Sequence, residues 1–151
     1  MSQRFRLGIV LRLREMAEES ARIELSHAID AHQRALAGVQ DAQGRAGREL
    51  RWLSDLQRGT AEAGQLQTAV FAVASAQRGI VVAEERLGIA ADMLFQARRV
   101  LAEATRQREV VERLRDRFMI AERRERDRQD TLAMAEIAST QHAIHVARER
   151  R

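Results

Sequence analysis

Residues Leu66–Phe118 read LQTAVFAVASAQRGIVVAEERLGIAADMLFQARRVLAEATRQREVVERLRDRF. Every seventh residue from the start gives Leu66, Val73, Ile80, Leu87, Leu94 and Leu101. Three residues later, a second column holds Ala69, Ala76, Ala83, Ala90, Ala97 and Ala104, and runs on through Val111 and Phe118. Apolar residues spaced alternately three and four apart have a period of 3.5, which keeps one stripe of a helix facing one partner. An Ala at every second seam position lets a neighbouring backbone come close, and the large residue of the next layer fills the space. The stretch is therefore predicted to be one continuous helix pressed against another. The competing reading is an ordinary amphipathic helix in a globular bundle, but such helices usually end well before seven heptads.

Composition supports the coiled coil. The chain has 151 residues, enough for a single domain, and no Pro to stop a helix. Its hydrophobic share is 45% but aromatics are only 3%, so it lacks the bulk for a thick core. With no Cys there is no disulfide, thiolate nucleophile or Cys-ligated metal. Every basic residue is Arg, and Lys, Asn and Tyr are absent, which reads as a codon bias of a high-GC bacterial genome. The net charge of +4 is a small surplus of Arg over acids. The pI near 11.1 reflects the high pKa of Arg more than a concentrated basic field.

Upstream, Met1–Leu13 is not a signal peptide, because Arg4, Arg6 and Arg12 interrupt its apolar residues. No stretch approaches the roughly 20 apolar residues of a membrane span. The basic, amphipathic start could lie on an anionic membrane surface. The better reading is that Phe5, Ile9, Leu13 and Met16, at helical spacing, join the seam. Further on, Leu25, Ile29, His32, Leu36, Val39, Ala46, Leu50 and Leu53 follow heptad spacing, in a different phase from Ile9, Leu13, Met16 and Ile23. A stutter between Ile23 and Leu25 is therefore expected. Gly38, Gly44 and Gly47 each weaken this helix by about 1 kcal/mol relative to Ala, so tertiary contact must hold it.

The break falls in Gln57–Gln65, QRGTAEAGQ. Gly59 and Gly64 are the candidate stop signals, Gly suits a left-handed helix end, and Thr60 can cap the next helix. A short connection makes the two helices antiparallel neighbours. The fold expected is all-α: a long antiparallel two-helix coiled-coil hairpin, with helix 1 over residues 4–57, a turn over 58–64 and helix 2 over 65–140. Residues 141–151 form a frayed tail. A turn centred near Ala61 and Glu62 would set Phe5 beside Phe118 and Trp52 beside Phe71. A centre a few residues either way fits the pattern equally well. The second helix outruns the first, at about 110 Å against about 75 Å. Past Phe118, charges of both signs alternate, as suits a solvated helix. An apolar group, Met119, Ile120, Leu132, Met134 and Ile137, has no partner there.

The chain offers almost no chemistry. It has no phosphate-cradling Gly motif, nucleophile elbow or HExxH. His142 and His145 share a helical face but have no carboxylate or thiolate beside them, so no metal is expected. His32 reads as a His at the edge of the core. No cofactor and no enzymatic activity are expected. Nucleic-acid binding needs uncompensated positive charge and, for single strands, stacking aromatics. Most Arg clusters here contain acids, as in ERLRDR and ERRERDRQD, and only the first 14 residues are uncompensated. No nucleic-acid partner is expected.

Two segments carry a family resemblance. FRLGIVLRLREMAEESARIELSHA, from Phe5, is similar to the opening of the FliJ family of flagellar export proteins, through Phe5, Leu7, Val10, Leu11, Leu13, Arg14 and Glu15. EVVERLRDRFMIAERRERDRQDTLAMAEIA, from Glu109, resembles the family's charged C-terminal region through Glu112, Leu114, Arg117 and Glu136-Ile137-Ala138. The plan of two helices with the second longer also matches. One departure is Ala135-Glu136, where the family has an acidic pair. The resemblance implies a cytoplasmic component of the flagellar type III export apparatus, similar to the coiled-coil stalk of rotary ATPases. It implies that the end carrying both termini enters the hexameric export ATPase. It also implies contact with the export-gate membrane protein and with substrate chaperones, peripherally at the inner membrane.

Joined to the residue pattern, the resemblance places Phe5, Leu7, Phe118, Arg123, Arg124 and Ile137 at an ATPase-facing end. Phe71 lies off the seam, in the column of Arg78, Glu85 and Asp92. With Trp52 it forms a candidate patch for the gate or a chaperone, or merely covers the hairpin end. The stalk reading expects a monomeric hairpin. The alternatives are a scaffolding coiled coil that oligomerises, and the equivalent stalk protein of a virulence type III secretion system.

Overall fold

The computed structural model describes residues 3–149, with side chains for residues 6–145. It has two helices and no strand among the described residues: α1 (Gln3–Arg58) and α2 (Ala63–Glu149), packed against each other, with α2 the longer. Chain contacts form two compact units, one of Met16–Thr105 and one of Met1–Glu15 with Arg106–Arg151.

In the Met16–Thr105 unit, α1 and α2 form an antiparallel hairpin closed by a short turn. Gly59 N–H donates to Leu56 C=O at 3.3 Å and ends α1. Glu62 C=O accepts from the N–H groups of Gln65 and Leu66, and the Gln65 side chain reaches back to the Glu62 N–H at 3.2 Å. Glu62 with Gln65 therefore caps α2, in the manner of half a capping box, where the sequence suggested Thr60. No glycine has a positive φ among the described residues, so Gly59 does not supply a left-handed helix end. Gly64 sits in the first turn of α2 rather than in a loop.

The seam of this unit is narrow and built largely on Ala. On α2, Ala69 is fully buried, Val73 and Ala90 are buried, and Leu66, Ala76, Ile80, Ala83, Leu87, Leu94, Ala97, Leu101 and Ala104 are half-buried. On α1 the inward residues are Glu18, Ala21, Leu25, Ala28, His32, Ala35, Val39, Ala42, Ala46, Glu49, Leu53 and Leu56, all buried or half-buried. These follow one unbroken heptad phase. The expected stutter is absent: Met16, 65% exposed, and Ile23 lie outside the seam, as do Ile29, Leu36 and Leu50. The reason is close approach. Facing a helix with Ala at every second seam position, α1 turns Ala21, Ala28, Ala35 and Ala42 inward between larger seam residues such as Leu25, His32 and Val39, and carries Met16, Ile23, Ile29 and Leu36 on its flanks.

One seam position is charged. Glu18 is buried, and its carboxylate accepts from the Thr105 hydroxyl at 3.0 Å and the Arg22 guanidinium at 2.8 Å. A buried carboxylate is tolerated only where hydrogen bonds satisfy it. The Glu18–Thr105 bond joins the two helices in the register that centres the turn between Ala61 and Glu62.

In the other unit, Leu11 is buried and Leu7 half-buried, whereas Ile9 and Leu13 are exposed and outside the seam. Arg14 donates to the Gln107 side chain at 2.6 Å. From Arg123 to His145 every side chain on α2 is exposed. The helix nevertheless continues to Glu149, through the segment expected to fray, where no Gly or Pro interrupts a run rich in Ala, Arg and Glu.

By length and composition alone, α2 holds an 18-residue window apolar enough to cross a membrane, with mean hydropathy 1.3. The sequence reading found no such stretch. The most apolar run, Leu66–Ala83, has Arg78 as its one charged residue and contains six of the seam residues that pack on α1. The rest of its hydropathy comes from residues off the seam, among them Val70, Phe71, Val81 and Val82, which are exposed.

Candidate functional site

The surfaces open to partners differ in kind. On the unit with both termini, Phe118 is half-buried, and beyond it Ile120, Leu132, Met134, Ile137 and Ile144 are exposed on α2. Among them, Arg126 pairs with Glu122 at 2.6 Å, and Gln129 bonds Glu125. Arg123 and Arg124 are exposed and form no ion pair among the described residues. Leu7 is half-buried. The side chain of Phe5 lies outside the described residues, and so does its expected place beside Phe118. This surface therefore offers apolar side chains and free guanidinium groups on a single helix.

At the turn end of the hairpin, Trp52 is 40% and Phe71 65% exposed, with Val70 exposed beside Phe71 in the chain. The register that sets Trp52 opposite Phe71 is the one in which Glu18 meets Thr105. Both rings keep enough free surface to meet another molecule.

A third surface was missed by sequence reasoning. One face of the hairpin is grooved. Its first stretch, about 760 Å³, lies between His27, Ala28 and Ala31 on α1 and Ile89, Met93 and Val100 on α2. The next, about 420 Å³, is lined by Ala35, Gly38, Gly79 and Ala83 and by Arg34, Arg45, Arg78 and Arg86. No carboxylate lines this second stretch. Towards the turn a third, about 430 Å³, includes Ala42, Arg45, Ala72, Ala76 and Glu49. In sequence Arg86 follows Glu84 and Glu85 and looks compensated. On a helix, neighbours one and two apart do not face each other, so those acids point elsewhere. No group of three or more potential metal ligands occurs among the described residues.

A family model described as Flagellar FliJ protein matches residues 2–146. Comparisons with curated proteins and with solved structures found no match.

Proposed function

Since the chain belongs to the FliJ family and is thus a component of the flagellar export apparatus, we propose that it acts as a stalk-like coil coupling the hexameric export ATPase to the export gate. Its family is one of non-enzymatic, cytoplasmic export components. In this reading the protein works by binding and mechanical coupling. An asymmetric coil touches six ring subunits unequally, so its docking or rotation biases their states. The coil sits peripherally at the inner membrane, at the export apparatus, and also binds substrate chaperones.

The observation that carries the reading is the length of α2. Past Glu122 it has no cover from α1, yet it keeps Leu132, Met134 and Ile137 exposed. An apolar helical surface without an internal partner marks a partner site. Arg123 and Arg124 beside it can reach carboxylates on a ring surface, bidentately in good geometry. We assign Phe5, Leu7, Phe118, Arg123, Arg124 and Ile137 to the ATPase-facing end. Trp52 and Phe71 form the patch for the gate or a chaperone.

Deleting everything after Phe118 tests the assignment. The truncated chain should keep its helical hairpin by circular dichroism and lose association with the export ATPase and its stimulation. Normal binding and stimulation by the truncated chain would overturn the assignment. Sedimentation analysis separates the stalk from a scaffold: the stalk is a monomeric hairpin, the scaffold a stable oligomer.

A further inference from the structure

We propose that the side of the Met16–Thr105 hairpin turned away from the groove pairs with a second copy of this chain, laid parallel so that α1 of each copy packs over α2 of the other. The pairing is reversible. The dilute chain is the monomeric hairpin of the stalk reading, whereas a scaffold stays oligomeric on dilution. The inference goes beyond that reading and does not depend on the ATPase contact.

The first observation is charge. On α1 this side consists of the residues one and four places after Leu25, His32, Val39, Ala46 and Leu53. On α2 it consists of those one and four places after Leu66, Val73, Ile80, Leu87 and Leu94. Such residues are three apart and neighbour one another, so each helix presents one strip. The two strips share a side: Arg22 and Thr105, each four places after a seam residue, meet at the Glu18 carboxylate. From Ser26 to Ser54 on α1 and from Gln67 to Phe95 on α2, the strips hold eighteen residues, of which Glu84 alone is charged. The whole chain is 32% charged, and the groove side of the same stretch carries Arg34, Arg45 and Arg86.

The second observation is what replaces charge. Ile29, Leu36, Leu50, Val70, Val81 and Phe95 all lie on this side and are exposed, Phe95 by 59%. A face meant only for water carries charged and polar residues. A contiguous apolar one marks an interaction site.

The polar residues that remain select a second copy as the occupant. Gln33, Gln40, Gln43, Gln67 and Gln77 each carry an amide, which donates and accepts and so can bond its own kind. A partner with a charged face would find no counter-charge here. Shape agrees. In the register of the hairpin Leu36 and Leu50 stand level with Gly88 and Ala74, so in a parallel pair the leucines of each copy meet the small residues of the other. Glu84 lies near the middle of the face. An antiparallel pair centred there would set it against its own copy, whereas the parallel pair sets it against Gln40. The face runs about 42 Å, and two helices about 9 Å apart present roughly 800 Å² over that length, the share each partner gives to an interface of standard size.

Sedimentation velocity of the full chain should show the dimer at about 100 μM and mostly monomer at about 1 μM. Leu36→Glu with Val81→Glu sets like charges against each other across the pair and should weaken it about tenfold or more. Both side chains are exposed, so the helical signal and melting temperature should stay in place. Arg34→Glu with Arg86→Glu, on the groove side, should leave pairing unchanged. The chain has no Cys, so introduced cysteines report the arrangement. Leu36→Cys and Gly88→Cys chains, mixed and oxidised, should give a linked dimer on a non-reducing gel, and Arg34→Cys mixed with Met93→Cys should not. Deleting everything after Phe118 leaves this face whole, so pairing should survive that truncation and the two readings fail separately. A monomer at both concentrations, pairing unchanged by Leu36→Glu with Val81→Glu, or links from Leu36→Cys alone as abundant as from the mixture would overturn the proposal. So would binding to phosphatidylcholine vesicles in place of self-association. An oligomer that persists at the lower concentration would overturn reversible pairing in favour of the scaffold.

Discussion

The Leu66–Ala104 stretch of α2 and the stretch from Arg123 to His145 are both regular helix with recurrent apolar residues, yet the first is half-buried along one stripe and the second wholly exposed. Leu94 and Leu132 differ in what lies opposite, not in chemistry. The first faces α1, and the second has no helix to face. Helicity in such a chain says little about whether a surface is satisfied. A helix rich in Ala, Arg and Glu can persist by propensity and local ion pairs, such as Arg126–Glu122, while its apolar side chains await a partner.

The contrast can be broken at single residues. Ala90→Glu places a carboxylate in a buried seam position shaped for a methyl group and should cost about 3 kcal/mol or more. Ala133→Glu, on the exposed stretch, should change stability by no more than about 0.5 kcal/mol. Thermal melts followed by circular dichroism compare the two, and equal effects would show that the seam is misassigned.

A smaller effect is expected at the charged seam position. Thr105→Val removes a donor from a buried carboxylate and should cost about 1 kcal/mol by urea denaturation. Glu18→Leu removes the buried charge and should be neutral or stabilising, provided the register is kept. A large loss with Glu18→Leu would show that the register itself depends on the Glu18–Thr105 bond.

The smallest effect is at the turn. Because Gly59 does not have a positive φ, and its nearest neighbour to an added Cβ is Asp55 O at 3.7 Å, Gly59→Ala should raise stability by about 0.5 kcal/mol. A marked loss would restore the left-handed helix end suggested by the sequence. Gln65→Ala should cost a similar amount through loss of the cap on the Glu62 N–H.

The sequence by itself determined the all-α hairpin, because a 3.5-residue period over many heptads has one geometric solution and the Gly59–Glu62 region is its one interruption. The two terminal segments also carried the family, and the absence of α1 opposite Leu132 and Ile137 followed from helix lengths alone. Three things were decided only by the tertiary structure. The phase of α1 ahead of Leu25, and the places of Ile29, Leu36 and Leu50, were misread because bulk was followed, whereas Leu25, His32, Val39, Ala46 and Leu53 lie on the seam as expected. Ile9, Leu13, Met16 and Ile23 make the stronger pattern, but close packing against an Ala-lined helix rewards Ala21, Ala28 and Ala42. The register was open because every heptad offers a nearly equivalent pairing; the packed hairpin adopts the one in which Glu18 meets Thr105. The groove of Arg34, Arg45, Arg78 and Arg86 was invisible because charge was compared along the chain. Electrostatic neighbours are set by distance in space: a helix turns Glu84 and Glu85 away from Arg86, and the hairpin brings in arginines more than thirty residues distant.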